Sequence, residues 1–157
     1  TPDVARTLVQ AALEDPDRLT KNVVSAYNYL SDTIAVPSVA SLGWCLGGTW
    51  SLNTALALPA KLDAAVIYYG GGITTDEARL ATLDMPIQGH FGLLDMRPSP
   101  ETVLDFERAL DSTGKTAQIY LYANAGHAFA NPSGTRYNKA AADLSWDRTI
   151  AFLKQYL

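Results

Sequence analysis

The fold is decided by residues 38–58, SVASLGWCLGGTWSLNTALAL, in which a short apolar segment runs into a helical one through glycine and cysteine. Residues 38–43 are small and apolar and end at a glycine, which predicts a buried strand. Residues 49–58 are rich in Ala and Leu and are followed by a proline, which predicts a helix. Between them lies Gly43-Trp44-Cys45-Leu46-Gly47-Gly48, a strand-to-helix turn with its cysteine at the apex.

The flanking segments continue this alternation of strands and helices. Further strands are predicted at residues 64–69, 85–91 and 117–122, which are continuous or alternating apolar runs. Two helices are predicted before the first strand: one ends near residue 15, and the other, with Asp17 as its N-cap, stops before residue 31. Two later helices are also predicted, one that opens at Ser99 and one that spans residues 139–156. The pattern indicates one α/β domain over residues 1–157, with a mostly parallel sheet flanked by helices on both faces.

Composition narrows the class of function. The 157 residues are 48% hydrophobic and 18% charged, which is typical of a soluble globular protein and contradicts disorder. The net charge of −4, with no run of Lys or Arg, argues against a nucleic-acid or membrane-surface partner. No apolar run is long enough to cross a bilayer. We therefore expect a soluble protein with a small-molecule partner; the cytoplasm and the periplasm both stay open as compartments.

The single cysteine of the chain carries the strongest chemical signal. Cys45 can form no intramolecular disulfide and cannot build a multi-cysteine metal site. A lone cysteine is more often a small buried apolar residue than a nucleophile. Here Gly43 and Gly47 match the G-x-nucleophile-x-G elbow, in which both glycines are expected to permit close packing of strand and helix. The helix N-terminus would lower the thiol pKa, and the N–H of Leu46 could donate to an oxyanion.

Asp95 and His127 complete a possible catalytic triad. Each follows a predicted strand, so that both should lie with Cys45 at the carboxyl edge of the sheet. The chain order of nucleophile, acid and histidine is that of α/β-hydrolases. His127 would move the proton while Asp95 holds its tautomer. The other histidine, His90, lies inside a predicted strand, where a structural role is favoured.

At these residues the sequence resembles the dienelactone hydrolase family. The resemblance rests on the cysteine elbow, on Tyr68-Tyr69-Gly70, on His90-Phe91-Gly92 with Asp95, and on Tyr122 with Gly126-His127-Ala128-Phe129. It implies hydrolysis of an ester or lactone through an acyl-cysteine intermediate, without metal or organic cofactor. It also implies that Tyr68 and Trp44 line the substrate pocket.

Two departures from the family pattern stand out. Members of the family carry, before the first helix seen here, further strands and a His-Glu segment that supplies a second oxyanion donor, so we expect an N-terminally incomplete domain. An exposed strand edge would then favour a second copy of the chain or a complementing N-terminal segment as a partner. Asn131 also stands where dienelactone-specific members have an arginine that holds the substrate carboxylate. Arg97 could take that role, although a solvated loop arginine is the simpler interpretation.

Two alternatives stay open from the sequence. A scaffold without the second oxyanion donor could persist as a weakly active or non-catalytic binding and assembly module. A glutamine amidotransferase-like hydrolase shares the cysteine elbow but commonly places its acid close to the histidine, whereas Asp95 precedes His127 by 32 residues. The leading hypothesis is a carboxylesterase with Cys45, His127 and Asp95 as its triad.

Overall fold

The computed structural model describes residues 2–157, which form a four-stranded parallel sheet with helices on both faces. The strands lie in the order β1-β2-β3-β4, each hydrogen-bonded to the next along the chain. The elements are α1 (Pro2–Leu13), α2 (Pro16–Asn28), a π-helical turn (Tyr29–Ile34), β1 (Ala40–Trp44), α3 (Leu46–Ala57), β2 (Ala64–Tyr68), α4 (Glu77–Leu80), β3 (Ile87–Gly92), α5 (Pro100–Ser112), β4 (Ala117–Tyr122) and α6 (Lys139–Tyr156).

Alternation along the strands divides the core into two layers. In one layer, the face of β2 that carries Ala65 and Ile67 packs against α3, α4 and α5, and partly buried residues of α2 contact the same layer. The other packs Ala64 and Val66 of the same strand against α6, which contributes Phe152. Because both faces of β2 are covered, all five of its residues are buried. The predicted mostly parallel sheet with helices on both faces is confirmed.

The main differences from prediction lie before the first strand. Asp15, rather than Asp17, caps α2, since its side chain accepts a hydrogen bond of 3.0 Å from the N–H of Arg18. The predicted stop before residue 31 is wrong, because the helix continues into the π-helical turn and ends only where Ala35 adopts a left-handed conformation. The short α4 was not predicted, since one turn carries too little periodicity to detect.

The strand β1 forms one edge of the sheet. Among the described strands it pairs with β2 alone, from Ala40 opposite Ala64 to Trp44 opposite Tyr68. Three of its residues are half-buried, Gly43 is buried and Trp44 is exposed. No helix within residues 2–157 is long and apolar enough to span a membrane.

Candidate active site

Cys45 occupies the sharp turn between β1 and α3. The strand ends at Trp44 and the helix begins at Leu46, so the cysteine alone makes the change of direction. Its backbone angles, φ 55° and ψ −117°, lie in a region that a residue with a side chain rarely adopts. A 3.0 Å hydrogen bond from the Cys45 N–H to the Tyr68 carbonyl helps to hold this turn. The thiol is exposed at the carboxyl edge of the sheet.

The glycines of the elbow do not share one role. A Cβ atom on Gly43 would lie 2.0 Å from the carbonyl oxygen of Gly47, so the close approach of β1 and α3 excludes any side chain there. A Cβ atom on Gly47 would meet nothing within 4 Å, and the expectation that this position also needs glycine is wrong. The second tight position is Gly48, where a Cβ atom would lie 2.4 Å from the Tyr68 carbonyl oxygen.

The structure brings Cys45, His127 and Asp95 together. The Cys45 Sγ and His127 Nε2 atoms are 3.1 Å apart, and His127 Nδ1 lies 2.9 Å from Asp95 Oδ2. His127 stands five residues beyond the end of β4, and Asp95 three residues beyond the end of β3, so both come from carboxyl-end loops as predicted. The residues form a continuous hydrogen-bonded chain from thiol to carboxylate.

Asp95 is held in position by its own loop. Its residue surface is only 3% exposed, and Oδ1 accepts a 2.9 Å hydrogen bond from the backbone N–H of Arg97. The other carboxylate oxygen is left for His127. Because each oxygen has a partner, the orientation of the carboxylate is determined, and it in turn fixes the imidazole ring.

The electrostatics of the site favour an ionised pair. The hydrogen bond to His127 lowers the pKa of the Cys45 thiol, with the nearby imidazolium charge and the Leu46 backbone N–H acting in the same direction, against the effect of burial. The hydrogen bond to Cys45 raises the pKa of His127 to about 9, and the hydrogen bond and charge of Asp95 add to this increase. Both shifts act in favour of a thiolate beside an imidazolium.

The first turn of α3 supplies a possible oxyanion donor. Leu46 is the first residue of the helix and directly follows Cys45, so its N–H has no carbonyl partner within the helix. That N–H already acts on the Cys45 sulfur, since it contributes to the lowered pKa. Its use by an oxyanion stays a prediction.

Two pockets meet at Cys45. The first, which we call the α1 pocket, has a volume of about 420 Å³ and is lined by Val9 and Leu13 of α1 together with Leu46, Trp50, Arg97 and His127, among others. The second, which we call the Trp44 pocket, has a volume of about 350 Å³ and is lined by Trp44, Tyr69, Ala128, Ala130, Asn131 and Pro132. Cys45 lines both. A substrate bound at the thiol can therefore extend to either side.

The residues predicted to bind substrate occupy different places. Trp44 and Asn131 lie beside Cys45 in the Trp44 pocket, and the Asn131 side chain also accepts a hydrogen bond from the N–H of Ser133. Arg97 is exposed, lines the α1 pocket and has no ion-pair partner among residues 2–157. Tyr68 borders neither of the two pockets at the thiol; it lies with Trp44 at a separate depression of about 500 Å³.

The ring of Tyr68 belongs to a buried polar network. Only 1% of Tyr68 is exposed, and its hydroxyl lies 2.8 Å from the Thr149 hydroxyl. Thr149 in turn contacts His90 Nε2 at 3.0 Å, and His90 Nδ1 lies 2.8 Å from the Tyr122 hydroxyl. Burial lowers the pKa of His90 to about 3, with the Arg148 charge acting in the same direction. His90 is therefore neutral, in agreement with the structural role favoured for it.

Tyr69 is a site residue that the sequence did not single out. Its ring meets the His127 ring edge to face, with centroids 5.3 Å apart, and meets Phe129 at the same distance. It also lines the Trp44 pocket. The Tyr-Tyr-Gly signal could have located it, because Tyr69 directly follows the end of β2, but only the structure shows that Tyr69 rather than Tyr68 lines a pocket at the thiol.

Within residues 2–157, no cluster of three or more His, Cys, Asp or Glu side chains could hold a metal ion.

Comparison with known proteins places the chain in a family. The model of the dienelactone hydrolase family matches residues 1–157. The carboxymethylenebutenolidase of Pseudomonas putida is 33% identical over 116 residues, which cover 73% of this chain and 48% of that protein. A relative from Saccharolobus solfataricus is 31% identical over 152 residues, covering 97% of this chain and 57% of its own length.

Solved structures agree on the fold. A dienelactone hydrolase-like promiscuous phosphotriesterase from metagenomic libraries superposes with a TM-score of 0.83 at 21% identity, over 96% of this chain and 66% of the other. At that identity the likeness concerns the fold alone. The chain spans about half the length of the curated relatives described above. Since the family model matches all of its residues, the chain belongs to the dienelactone hydrolase family.

Proposed function

We propose that the protein hydrolyses small carboxylic esters or lactones through an acyl-cysteine intermediate. The observation that carries this proposal is the hydrogen-bonded chain from Cys45 Sγ through His127 to Asp95, with 3.1 Å and 2.9 Å between successive partners. This series of hydrogen bonds ends at the Cys45 thiol, which is exposed where the two pockets meet. This combination suits a nucleophile that must reach a bound carbonyl carbon.

The acylation step follows from the positions of these groups. The Cys45 thiolate attacks the carbonyl carbon of the ester, and the negative charge moves to the carbonyl oxygen, which the Leu46 N–H can stabilise. When the tetrahedral intermediate collapses, the bond to the alcohol oxygen breaks. His127 gives the proton it took from the thiol to this oxygen, and the acyl group stays on Sγ.

Deacylation reverses the roles of the same residues. His127, now neutral, takes a proton from a water molecule that attacks the thioester carbon. The bond from that carbon to Sγ then breaks, the acid product leaves, and the proton on His127 again faces the thiolate. Throughout both steps the buried Asp95 carboxylate stabilises the imidazolium form and keeps Nε2 directed at the reacting atoms.

The substrate class rests on the pockets and on the relatives. Pockets of about 350 and 420 Å³ are of the size that small-molecule sites have. The Pseudomonas putida relative at 33% identity is named a carboxymethylenebutenolidase, which supports a small lactone or ester. Asn131 places a neutral side chain in the Trp44 pocket, which gives no reason to expect a carboxylate on the part of the substrate bound there.

Turnover of p-nitrophenyl acetate tests the proposal. We expect the wild-type protein to release nitrophenol above the buffer rate and Cys45→Ala to release none above it. Asp95→Asn should retain the thiol but lose most of the rate, since the imidazole is then no longer held in the required tautomer. A folded wild-type protein that matches Cys45→Ala would contradict the proposal and favour a binding or assembly module instead.

A further inference from the structure

The two pockets at Cys45 differ in their relation to His127. The lining of the α1 pocket includes the His127 side chain as well as Cys45 and Leu46. The lining of the Trp44 pocket includes Cys45 but not His127. The two compartments are therefore not equivalent for a reaction in which the histidine must reach one particular atom of the substrate.

That atom is the oxygen of the departing alcohol. During acylation His127 protonates this oxygen, so the alcohol part of the ester has to lie on the His127 side of the sulfur. Resting on the proposed function, we infer that the α1 pocket binds the alcohol part of the substrate and that this part is apolar. The acyl part then occupies the Trp44 pocket.

The lining of the α1 pocket supports an apolar group. Val9 and Leu13 lie one helical turn apart on the same side of α1, and they line the pocket together with Leu46 and Trp50. Leu13 is 47% exposed without a ligand, so an apolar group bound there would remove apolar surface from water. Apart from the reacting Cys45 and His127, the one charged side chain in the lining is Arg97.

The same geometry lets an alcohol, as well as water, accept the acyl group from Cys45. Once the first alcohol has left, the α1 pocket can bind another apolar alcohol with its hydroxyl beside His127. His127 removes the hydroxyl proton, the alcohol oxygen forms a bond to the acyl carbon, and the bond from that carbon to Cys45 Sγ breaks. The products are a new ester and the restored thiolate beside a protonated His127. Apolar alcohols should thus compete with water for the acyl group.

A series of acetate esters tests where the alcohol binds. With methyl, ethyl, propyl and butyl acetate, we expect kcat/KM of the wild-type protein to rise about fourfold per methylene, the gain for burying that group. In Leu13→Ala the gain should fall to about twofold, since part of the apolar wall is lost. Leu8→Ala is the matched control, because Leu8 lies on the same helix, is 66% exposed and does not line the pocket.

A second measurement separates this inference from the proposed function. The acetyl-enzyme formed from p-nitrophenyl acetate is partitioned between water and butanol, and butyl acetate is measured by gas chromatography. The wild type and Leu8→Ala should give the same ratio of butyl acetate to acetate, whereas Leu13→Ala should give a lower ratio.

The outcomes are distinct. Equal kcat/KM along the alcohol series, or equal butyl acetate yields in the wild type and Leu13→Ala, would overturn the assignment of the α1 pocket while leaving acyl-cysteine chemistry intact. A wild-type protein that forms no acetyl-enzyme would overturn the proposed function and the inference together.

Discussion

Replacing Gly43 by alanine should destabilise the protein strongly, whereas the same replacement at Gly47 should not. The added Cβ atom at position 43 would lie 2.0 Å from the Gly47 carbonyl oxygen and 2.2 Å from its carbon. Both atoms are backbone, so relief requires β1 and α3 to separate by about 1 Å in a close-packed interior. Overpacking of this kind costs about 1 to 3 kcal/mol and occasionally more, and we expect about 3 kcal/mol or above here.

The Gly47→Ala variant is the matched control. A Cβ atom there meets nothing within 4 Å, and the residue lies inside α3 without a positive φ. Alanine in a helix is favoured over glycine by about 0.5 to 1 kcal/mol, so the free energy of unfolding should be unchanged or slightly higher. Urea unfolding of both variants measures the difference. A loss of similar size in both would refute the separate roles assigned to the two glycines.

Two further predictions concern the site and its support. In a pH profile of kcat/KM, the rate of acylation should rise as the Cys45 thiol ionises and fall above about pH 9, where His127 loses its proton. In Asp95→Asn this fall should occur at lower pH, because Asp95 helps to raise the pKa of His127. A fall at the same pH in both proteins would contradict the assigned role of Asp95. Thr149→Val should lower the free energy of unfolding by about 1 to 3 kcal/mol, since the buried Tyr68 hydroxyl loses the partner 2.8 Å away; an unchanged urea midpoint would contradict this.

The later half of the chain was predicted well from its sequence. The bounds of β4 and α6 coincide with the predicted residues 117–122 and 139–156, and Ser99 caps α5 as expected. In these segments local signals agree with tertiary packing: a capping side chain, a regular apolar spacing and a strand of ordinary length. The carboxyl-edge positions of the triad followed from the same strand boundaries.

Other features depend on tertiary contacts that no local pattern encodes. The apolar face of α1 is visible in the sequence, but that Val9 and Leu13 line a pocket beside Cys45 depends on where the helix packs. The elbow motif does not show that Gly43 is crowded and Gly47 free, because both fit the same spacing. Association through the unpaired edge of β1, with a second copy or a complementing segment, stays a prediction.

The proposed Cys45 nucleophile is tested most directly by intact-mass analysis of the protein mixed briefly with p-nitrophenyl acetate. If Cys45 is the nucleophile, the wild type gains the mass of one acetyl group, peptide mapping places it on Cys45, and Cys45→Ala gains none. An acetyl group found equally on Cys45→Ala, or no adduct and no turnover on a folded wild type, would contradict Cys45 as the nucleophile.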